Sequence, residues 1–447
     1  MQFATWTPAV CLSAALIAAA VAGGNGSDSG RDGAIQRPEP SDARRQLVEQ
    51  GRYLAVAGDC VSCHTRDDSQ PFAGGRPLNT PFGVIYSANI TTDPKTGIGA
   101  WSEPQFERAL RAGVAADGTH LYPAFPYTAY TKVTDQDVHA LYAYLRSLKP
   151  VEYTPPKNQM PLPFSIRDLT AVWNMMFFEP GRYVPDSSRS VEWNRGAYLT
   201  QGLGHCGACH TPRNFLGGER AAQALSGGDY LDEIGDEVVN GKITPLDERT
   251  VRPWSAANLT AEPSGLGAWT LDAIAAYLKT GHSARAAAFG PMSTVIGNST
   301  SRMTDADIHA IAVYLKSLPP ATQGAPSKPK AQMLKAGEIV YTTRCGDCHL
   351  PTGLGVPRTA NADASKTAPP LAGNAVVQAP NPATLINVIL YGAHESAMAE
   401  GSWPMMSGFE LSVGLDDEQI AALCTYLRSS WGNQAGAVDA GVVARQH

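Results

Sequence analysis

The sequence has 447 residues, a length that suits roughly three domains of about 150 residues each. Hydrophobic residues make up 43% of it, which is enough for packed cores and excludes a chain that is disordered throughout. The formal net charge of −6 argues against nucleic acid as a partner, and beyond the first 25 residues no apolar stretch is long enough for a polytopic membrane protein.

The first 22 residues predict a secretory signal peptide. Residues 6–22 are almost all apolar or small, carry no Lys or Arg, and end at Ala22 in a small-x-small site of the kind that signal peptidase cuts. The polar stretch 23–45 that follows is expected to be a flexible lead-in to the folded protein. An uncleaved membrane anchor is the alternative interpretation of the same segment.

Three copies of the motif C-x-x-C-H carry most of the chemistry. They are Cys60-Val-Ser-Cys63-His64, Cys206-Gly-Ala-Cys209-His210 and Cys345-Gly-Asp-Cys348-His349. In this motif two thiols add to the vinyl groups of one porphyrin, and the adjacent imidazole lies beneath its iron as an axial ligand. The pattern therefore predicts three covalently bound haem c groups.

Other uses of paired cysteines fit less well. A disulfide would leave the histidines without a role, and zinc would need two such pairs close together, whereas these lie well over a hundred residues apart in the chain. A thioredoxin-like redox pair would need a neighbouring βαβ pattern, which the sequence does not show. Of the two other cysteines, Cys11 falls in the expected signal peptide and Cys424 is interpreted as a small buried hydrophobe.

The motifs belong to a threefold repeat of helical segments. Each motif follows a short helical pattern that opens with glycine, at Gly51, Gly196 and Gly337. Each repeat ends in an amphipathic helix with a capping residue and an acid or Gln three positions later; the caps are Thr134, Thr304 and Asp416. The sequence thus predicts an all-α protein of three tandem cytochrome c-like haem domains joined by Pro-rich linkers.

These features set the expected domain boundaries. The boundaries are a signal peptide at 1–22, the lead-in at 23–45, cytochrome c domains at 46–150, 190–319 and 333–432, linkers at 151–189 and 320–332, and a tail at 433–447.

The sixth iron ligand is predicted for two of the three haems. A haem that only transfers electrons usually has both axial positions filled, often by His and Met. The loop before the last helix of the second repeat contains Phe289-Gly-Pro-Met292, which makes Met292 the expected ligand. The corresponding loop of the third repeat offers Met405 and Met406, with Met398 farther off, and Met406 is preferred.

The first repeat has no methionine in this loop, which reads Leu121-Tyr-Pro-Ala-Phe-Pro-Tyr127. The first haem is then either five-coordinate or ligated by another side chain. His120, His139 and Met160 are the candidates, and the sequence leaves this choice open.

The most apolar segment after the signal peptide is 164–178. It is interpreted either as a strut packed between the first and second domains or as an interfacial patch for a membrane or a partner. No flavin or quinone-cofactor domain is evident in the sequence, so no substrate-oxidising site is expected.

The chain resembles the three-haem cytochrome c subunits of bacterial membrane-bound dehydrogenases, a group that serves alcohol, gluconate, sorbitol and aldehyde dehydrogenases. The most specific stretches are Thr80-Pro-Phe-Gly-Val-Ile-Tyr-Ser-Ala-Asn-Ile-Thr91, Gly202-Leu-Gly-His-Cys-Gly-Ala-Cys-His-Thr-Pro-Arg-Asn214 and Pro369-Pro-Leu-Ala-Gly-Asn374. The resemblance supports Met292 and Met406 as ligands. It also implies that electrons arrive from a catalytic subunit of the flavin, quinone-cofactor or molybdenum type and reach ubiquinone or a terminal oxidase. The expected location is the periplasmic side of the inner membrane.

One residue departs from this group. The alcohol and gluconate branches carry Met where this chain has Phe125, which favours another branch, such as one paired with a molybdenum-dependent aldehyde or heterocycle oxidase. Two alternative functions stay open: a peroxidase-like haem enzyme that uses an open first haem, and a free-standing periplasmic electron carrier.

Overall fold

The computed structural model describes residues 40–233, 237–239, 242–244, 251–322, 324–357, 367–393, 406–407 and 414–447. The segment predicted to be a signal peptide lies outside these residues, as do Cys11, Met398 and Met405.

Helices make up most of the regular structure. The α-helices are Pro40–Ala57, Cys60–His64, Glu103–Ala112, Tyr127–Tyr130, Asp135–Leu145, Leu169–Phe177, Val191–Tyr198, Gly207–His210, Leu271–Thr280, Pro291–Asn298, Asp305–Lys316, Ala331–Arg344, Gly346–His349, Ala383–Tyr391, Asp417–Ser429 and Ala440–Ala444. Within the described ranges, a π-helical turn, Leu199–Leu203, and two 3₁₀ turns, Ala221–Gln223 and Thr300–Arg302, accompany these helices.

The all-α prediction needs a correction, because short antiparallel strand pairs accompany the helices. The pairs in the described residues are Pro77–Thr80 with Gly83–Tyr86, Gly228–Glu233 with Val251–Ala256, Glu237–Val239 with Lys242–Thr244, and Gly392–Ala393 with Met406–Ser407. The longest of these strands has six residues, which is too short for alternation to stand out in a sequence rich in Gly and Pro. The fold is therefore mostly helical rather than all-α.

Three equivalent helix pairs recur along the chain, each made of an opening helix before a C-x-x-C-H motif and a closing helix at the end of the repeat. The opening helices are Pro40–Ala57, Val191–Tyr198 and Ala331–Arg344, and the closing helices are Asp135–Leu145, Asp305–Lys316 and Asp417–Ser429. The first opening helix begins at Pro40, so residues 40–45 are helical rather than part of the flexible lead-in that the sequence predicted.

A glycine lies at the crossing point of each helix pair. Gly51 faces the carbonyl oxygen of Ala140, and the same contact joins Gly196 to Ala310 and Gly337 to Ala422. A Cβ atom at any of these glycines would overlap that oxygen. The opening and closing helices therefore cross this closely only because these positions carry a hydrogen as side chain.

The predicted caps of the closing helices are confirmed. Thr134 and Thr304 accept from the backbone N–H three residues on, each at 3.2 Å, and Asp416 accepts from Gln419 at 2.8 Å. Only the third helix completes the reciprocal capping box, because the Gln419 side chain accepts from the Asp416 N–H. In the other two closing helices the equivalent side chains, Asp137 and Asp307, each accept a hydrogen bond from a tyrosine of the neighbouring repeat.

A reciprocal pair of hydrogen bonds joins the first repeat to the second. Tyr53 of the first opening helix donates to Asp307 Oδ2 at 2.6 Å, and Tyr198 of the second opening helix donates to Asp137 Oδ2 at 2.5 Å. The two tyrosines occupy equivalent positions, and so do the two aspartates. The first two repeats therefore meet through like surfaces, as the halves of a twofold-symmetric dimer do.

Further polar groups strengthen this contact. Each tyrosine oxygen accepts a backbone N–H at 3.2 Å, from Thr304 at Tyr53 and from Thr134 at Tyr198. The Arg195 guanidinium makes two bonds of 2.7 Å to the carboxylate of Asp307. We call this set of residues the reciprocal contact.

Two buried apolar clusters form the core of the part of the chain that the structure describes. The first takes residues from both of the first two repeats, among them Leu54, Leu141, Leu199 and Leu315, and the second lies in the third repeat. The third repeat meets the second where the helix Ala383–Tyr391 packs on the strand Val251–Ala256. There the Ser255 N–H donates to Thr384 Oγ1 at 2.7 Å, and that hydroxyl donates to the Ser255 carbonyl at 2.9 Å.

The segment 433–447, which the sequence assigned to a tail, packs into the second cluster. Val438 and Val443 are buried there, and Thr425 of the closing helix accepts from the Val438 N–H at 2.9 Å. The sequence predicted a tail because this segment is short and rich in Gly and Ala. Among the described helices, none is both long and apolar enough to span a membrane.

Candidate functional site

Each C-x-x-C-H motif forms a single short helical turn. The turns are Cys60–His64, Gly207–His210 directly after Cys206, and Gly346–His349 directly after Cys345. Residues three and four positions apart lie on the same side of a helical turn. The spacing therefore brings two thiols and one imidazole of each motif together, and the six sulfur atoms are not joined in disulfides.

Each of the three motif imidazoles makes the same kind of hydrogen bond, from Nδ1 to a backbone carbonyl. Nδ1 of His64 lies 2.7 Å from the Ala88 carbonyl, Nδ1 of His210 lies 2.8 Å from that of Ala257, and Nδ1 of His349 lies 3.1 Å from that of Pro369. A carbonyl can only accept, so Nδ1 carries the proton in each case and Nε2 keeps its lone pair. This is how proteins orient an imidazole that ligates a metal.

The protonation state of these histidines agrees with that role. Burial lowers the pKa of His64, His210 and His349, although the bond to the carbonyl acts in the opposite direction. The neutral imidazole is therefore favoured, and it is the form that binds metals.

The sequence reasoning missed the carbonyl acceptors, although their surroundings repeat. Asn89 follows Ala88, and Asn258 follows Ala257. Asn89 Oδ1 accepts from the N–H and hydroxyl of Thr91 at 2.9 and 2.7 Å, and Asn258 accepts in the same way from Thr260 at 2.8 and 2.8 Å. This local turn fixes the loop that presents the carbonyl, so the recurring string Ala-Asn-x-Thr was its signal.

The thiols differ from those of redox-active cysteines. Burial raises the pKa of Cys60, Cys209 and Cys345 to about 12 and that of Cys63 and Cys206 to about 11. A reactive C-x-x-C pair depends on a lowered thiol pKa. The environment of these motifs therefore does not favour thiolate chemistry.

Comparison with known proteins decides the family. The family model described as cytochrome c matches residues 48–149 and 334–431. The alcohol dehydrogenase (quinone) cytochrome c subunit of Gluconacetobacter polyoxogenes is 40% identical over 425 residues, which cover 90% of this chain and 85% of that protein. The fructose dehydrogenase cytochrome subunit of Gluconobacter japonicus is 38% identical over 441 residues, covering 91% of this chain and 84% of that protein. The chain belongs to the cytochrome c subunits of bacterial dehydrogenases.

A further relative is much longer than this cytochrome. A nicotinate dehydrogenase subunit of Pseudomonas putida is 41% identical over 388 residues, which are 86% of this chain but only 30% of that protein. This cytochrome thus spans less than a third of the length of that relative.

Membership of the family implies covalently bound haem c, and the residues present fit that group. Each motif turn of this cytochrome offers two neighbouring thiols and one imidazole whose Nε2 is left free by the bond at Nδ1. The six motif cysteines would hold the porphyrins through thioether bonds, and His64, His210 and His349 would each supply an axial nitrogen.

The structure places the two expected methionine ligands in regular elements rather than in the loops that the sequence predicted. Met292 is the second residue of the helix Pro291–Asn298 and is partly buried. Met406 lies in a two-residue strand and pairs with Ala393. Among the described residues no contact joins either thioether to an imidazole, so ligation by these methionines stays a prediction.

In the first repeat the side chain at the expected ligand position is the phenyl ring of Phe125, where the other two repeats have the thioethers of Met292 and Met406. Phe125 packs against Tyr130, with ring centroids 5.4 Å apart. Of the other candidates, His139 Nδ1 lies 2.7 Å from a Glu103 carboxylate oxygen, and the backbone of His120 pairs with Val114. Met160 lies beside the Gly83 end of the first strand pair. The described contacts assign none of these side chains to an iron.

Proposed function

We propose that this cytochrome is a three-haem electron-transfer subunit of a periplasmic, membrane-associated dehydrogenase complex. Electrons would come from the catalytic subunit and leave to ubiquinone or a terminal oxidase. The observation that carries the proposal is the same geometry at all three motifs, with Nδ1 bonded to a carbonyl in each. The names of the relatives support a dehydrogenase partner, because they are cytochrome subunits of such complexes.

The part of the chain itself is to hold each haem and to orient the histidine beside it. Haem iron that alternates between its ferric and ferrous states supplies the one-electron chemistry. The motif cysteines would hold each haem through thioether bonds, and the carbonyl bonds to the imidazoles would orient the nitrogen that each histidine offers to the iron. Met292 and Met406 would complete the coordination in the second and third repeats and raise the potentials there. The first haem, without a methionine, would have a different potential.

Two features support one type of partner. Phe125 stands where the alcohol and gluconate branches carry Met, and a nicotinate dehydrogenase subunit is among the relatives. We therefore favour a catalytic subunit that oxidises a heterocycle or an aldehyde. The protein that co-purifies from gently solubilised membranes would identify the substrate.

Haem counting tests the proposal. The full chain is produced in a host that exports proteins and attaches haem c, and haem per chain is measured by the pyridine haemochrome assay. We expect three haems for the natural chain and two for the double variant Cys206→Ala, Cys209→Ala. The control Cys424→Ala changes a buried cysteine outside the motifs and should leave three. Fewer than three haems in the natural chain would overturn the proposal.

One observation favours a second function, a peroxidase-like activity at the first haem. The Phe125 side chain cannot ligate iron, so an open coordination site could bind peroxide. Resonance Raman spectroscopy of the ferric protein separates the two functions. One high-spin haem in three would support the enzyme, and a fully low-spin spectrum would exclude it.

A further inference from the structure

The helix Leu169–Phe177 exposes an unusual amount of apolar surface. Its sequence, LTAVWNMMF, contains no charged residue. Four of its side chains are strongly exposed, with 45% of the surface accessible at Leu169, 51% at Val172, 87% at Met175 and 54% at Met176. Contiguous exposed apolar side chains of this kind mark a surface that contacts a protein or a membrane.

The opposite side of this helix is fixed to the protein. The Trp173 indole donates to the Leu216 carbonyl at 2.9 Å, and Asn174 accepts from the Tyr127 hydroxyl at 2.6 Å. Thr170 on the same side is buried. Because these contacts involve both the first and the second repeat, the helix cannot roll over to hide its exposed side chains. Its inner side is thus the strut that the sequence suggested.

The exposed surface continues beyond the helix. Leu162 and Ile166 precede it and are 77% and 46% exposed. We call the exposed side chains of Leu162, Ile166, Leu169, Val172, Met175 and Met176 the apolar face.

We propose that the apolar face seats the protein on a lipid bilayer, with the helix Leu169–Phe177 lying in the plane of the membrane surface. This inference rests on the membrane association in the proposed function. A helix of nine residues is about 13 Å long, less than half of the roughly 30 Å hydrocarbon core, so it lies in the interface and does not span it.

The chemistry of the apolar face favours lipid over a protein partner. Protein interfaces combine apolar contacts with hydrogen bonds and a polar rim. The six side chains of the apolar face are aliphatic or thioether groups, which offer no strong donor or acceptor. Acyl chains require none, and flexible Leu and Met side chains adapt to their fluid surface.

Charge predicts how the face would bind. Arg167 and Asp168 precede the helix and Glu179 follows it, so its immediate flanks carry no net positive charge. The Arg167 guanidinium lies over the Tyr122 ring, 4.0 Å from its centroid. The whole chain is acidic, with a net charge of −6. Adsorption should therefore come from apolar burial, occur on neutral lipid, and be insensitive to salt.

Vesicle co-sedimentation tests this proposal. The haem-loaded full chain is mixed with phosphatidylcholine vesicles at low and high salt, beside the double variant Val172→Glu, Met175→Glu. We expect the variant to bind roughly tenfold more weakly or worse, because two apolar side chains that the bilayer would bury become charged. The control Ile339→Glu alters a side chain that is 56% exposed on the opening helix of the third repeat and should bind like the natural chain.

Three results would overturn the proposal. They are unchanged binding by the double variant, binding of the natural chain only to anionic vesicles at low salt, and loss of a co-purifying dehydrogenase by a variant that still binds vesicles. The last result would assign the apolar face to the partner protein. Haem content is measured in the same samples, so a failure of the haem proposal would be seen separately from a failure of vesicle binding.

Discussion

At the scale of single residues, three backbone carbonyls determine what the motif imidazoles can do. Each accepts a hydrogen bond from Nδ1 and so leaves Nε2 with the lone pair that a metal could bind, as at His64 with Ala88. The motif predicts the identity of the cysteines and histidines because its spacing is local. The carbonyls come from distant loops, 20 to 47 positions away, so the motif alone could not locate them.

The first repeat gives a prediction at this scale. Replacing Phe125 by Met should provide the thioether that the other repeats have, and this should raise the midpoint potential of one haem while the others keep theirs. Potentiometric titration followed by visible spectroscopy measures the change. The control Phe125→Leu removes the ring without supplying a ligand. If the Met and Leu variants have the same potentials, Phe125 does not occupy a ligand position.

At the scale of helices, the closing helices were predictable because their signals are local. Periodicity and the caps at Thr134, Thr304 and Asp416 define them within a few residues. The strand pairs were not predictable, since a strand such as Gly83–Tyr86 is too short to show a pattern. The segment 433–447 was misjudged for a related reason: only the fold brings Val438 and Val443 to the second cluster.

The crossing glycines give a prediction at the scale of helices. Gly196→Ala gains up to about 1 kcal/mol in helix propensity but forces a methyl group into the Ala310 carbonyl. Overpacking typically costs about 1–3 kcal/mol, and the upper end applies because backbone atoms yield less than side chains, so a net destabilisation of about 2 kcal/mol should result. Denaturant unfolding of the haem-loaded protein measures it. Gly181→Ala is the matched control, because nothing lies within 4 Å of its added Cβ; equal stability of the two variants would refute the close crossing.

At the scale of the whole molecule, the reciprocal contact makes one body of the first two repeats. Their shared apolar cluster and the paired Tyr53–Asp307 and Tyr198–Asp137 bonds connect them in both directions. A single sequence reveals that repeats exist but not which of them touch, so this arrangement could not be predicted. The third repeat has Ile339 and Gln419 at the corresponding positions and keeps a core of its own.

Asp307 gives this contact a pH dependence. Burial raises the pKa of this carboxyl, but the bonds from Arg195 and Tyr53 and the charge of Arg195 outweigh it, so its pKa is lowered. A lowered pKa means that the carboxylate stabilises the fold above the ordinary Asp value of about 3.9, and that this stability is lost as pH falls through the lowered value. The variant Asp307→Asn should lose about 2 kcal/mol at neutral pH, and the difference should shrink in acid.

Denaturant unfolding at neutral pH and below about pH 3 checks this expectation. Asp305→Asn is the control on the same helix, where the side chain is 91% exposed and pairs with Lys279 at the surface. Its effect should stay within about 0.5 kcal/mol. A loss for Asp307→Asn that is the same at both pH values would show that the carboxylate charge is not what stabilises the contact.

The reciprocal contact also affects how the chain can be divided. A truncated product ending near residue 150 would keep both Tyr53 and Asp137 while losing the residues that each of them bonds. Since the two lost residues are equivalents of the two retained ones, a second copy of the same fragment offers replacements for both. Such a fragment should self-associate into a homodimer that imitates the intact amino-terminal half, whereas a fragment of the third repeat has no such pair.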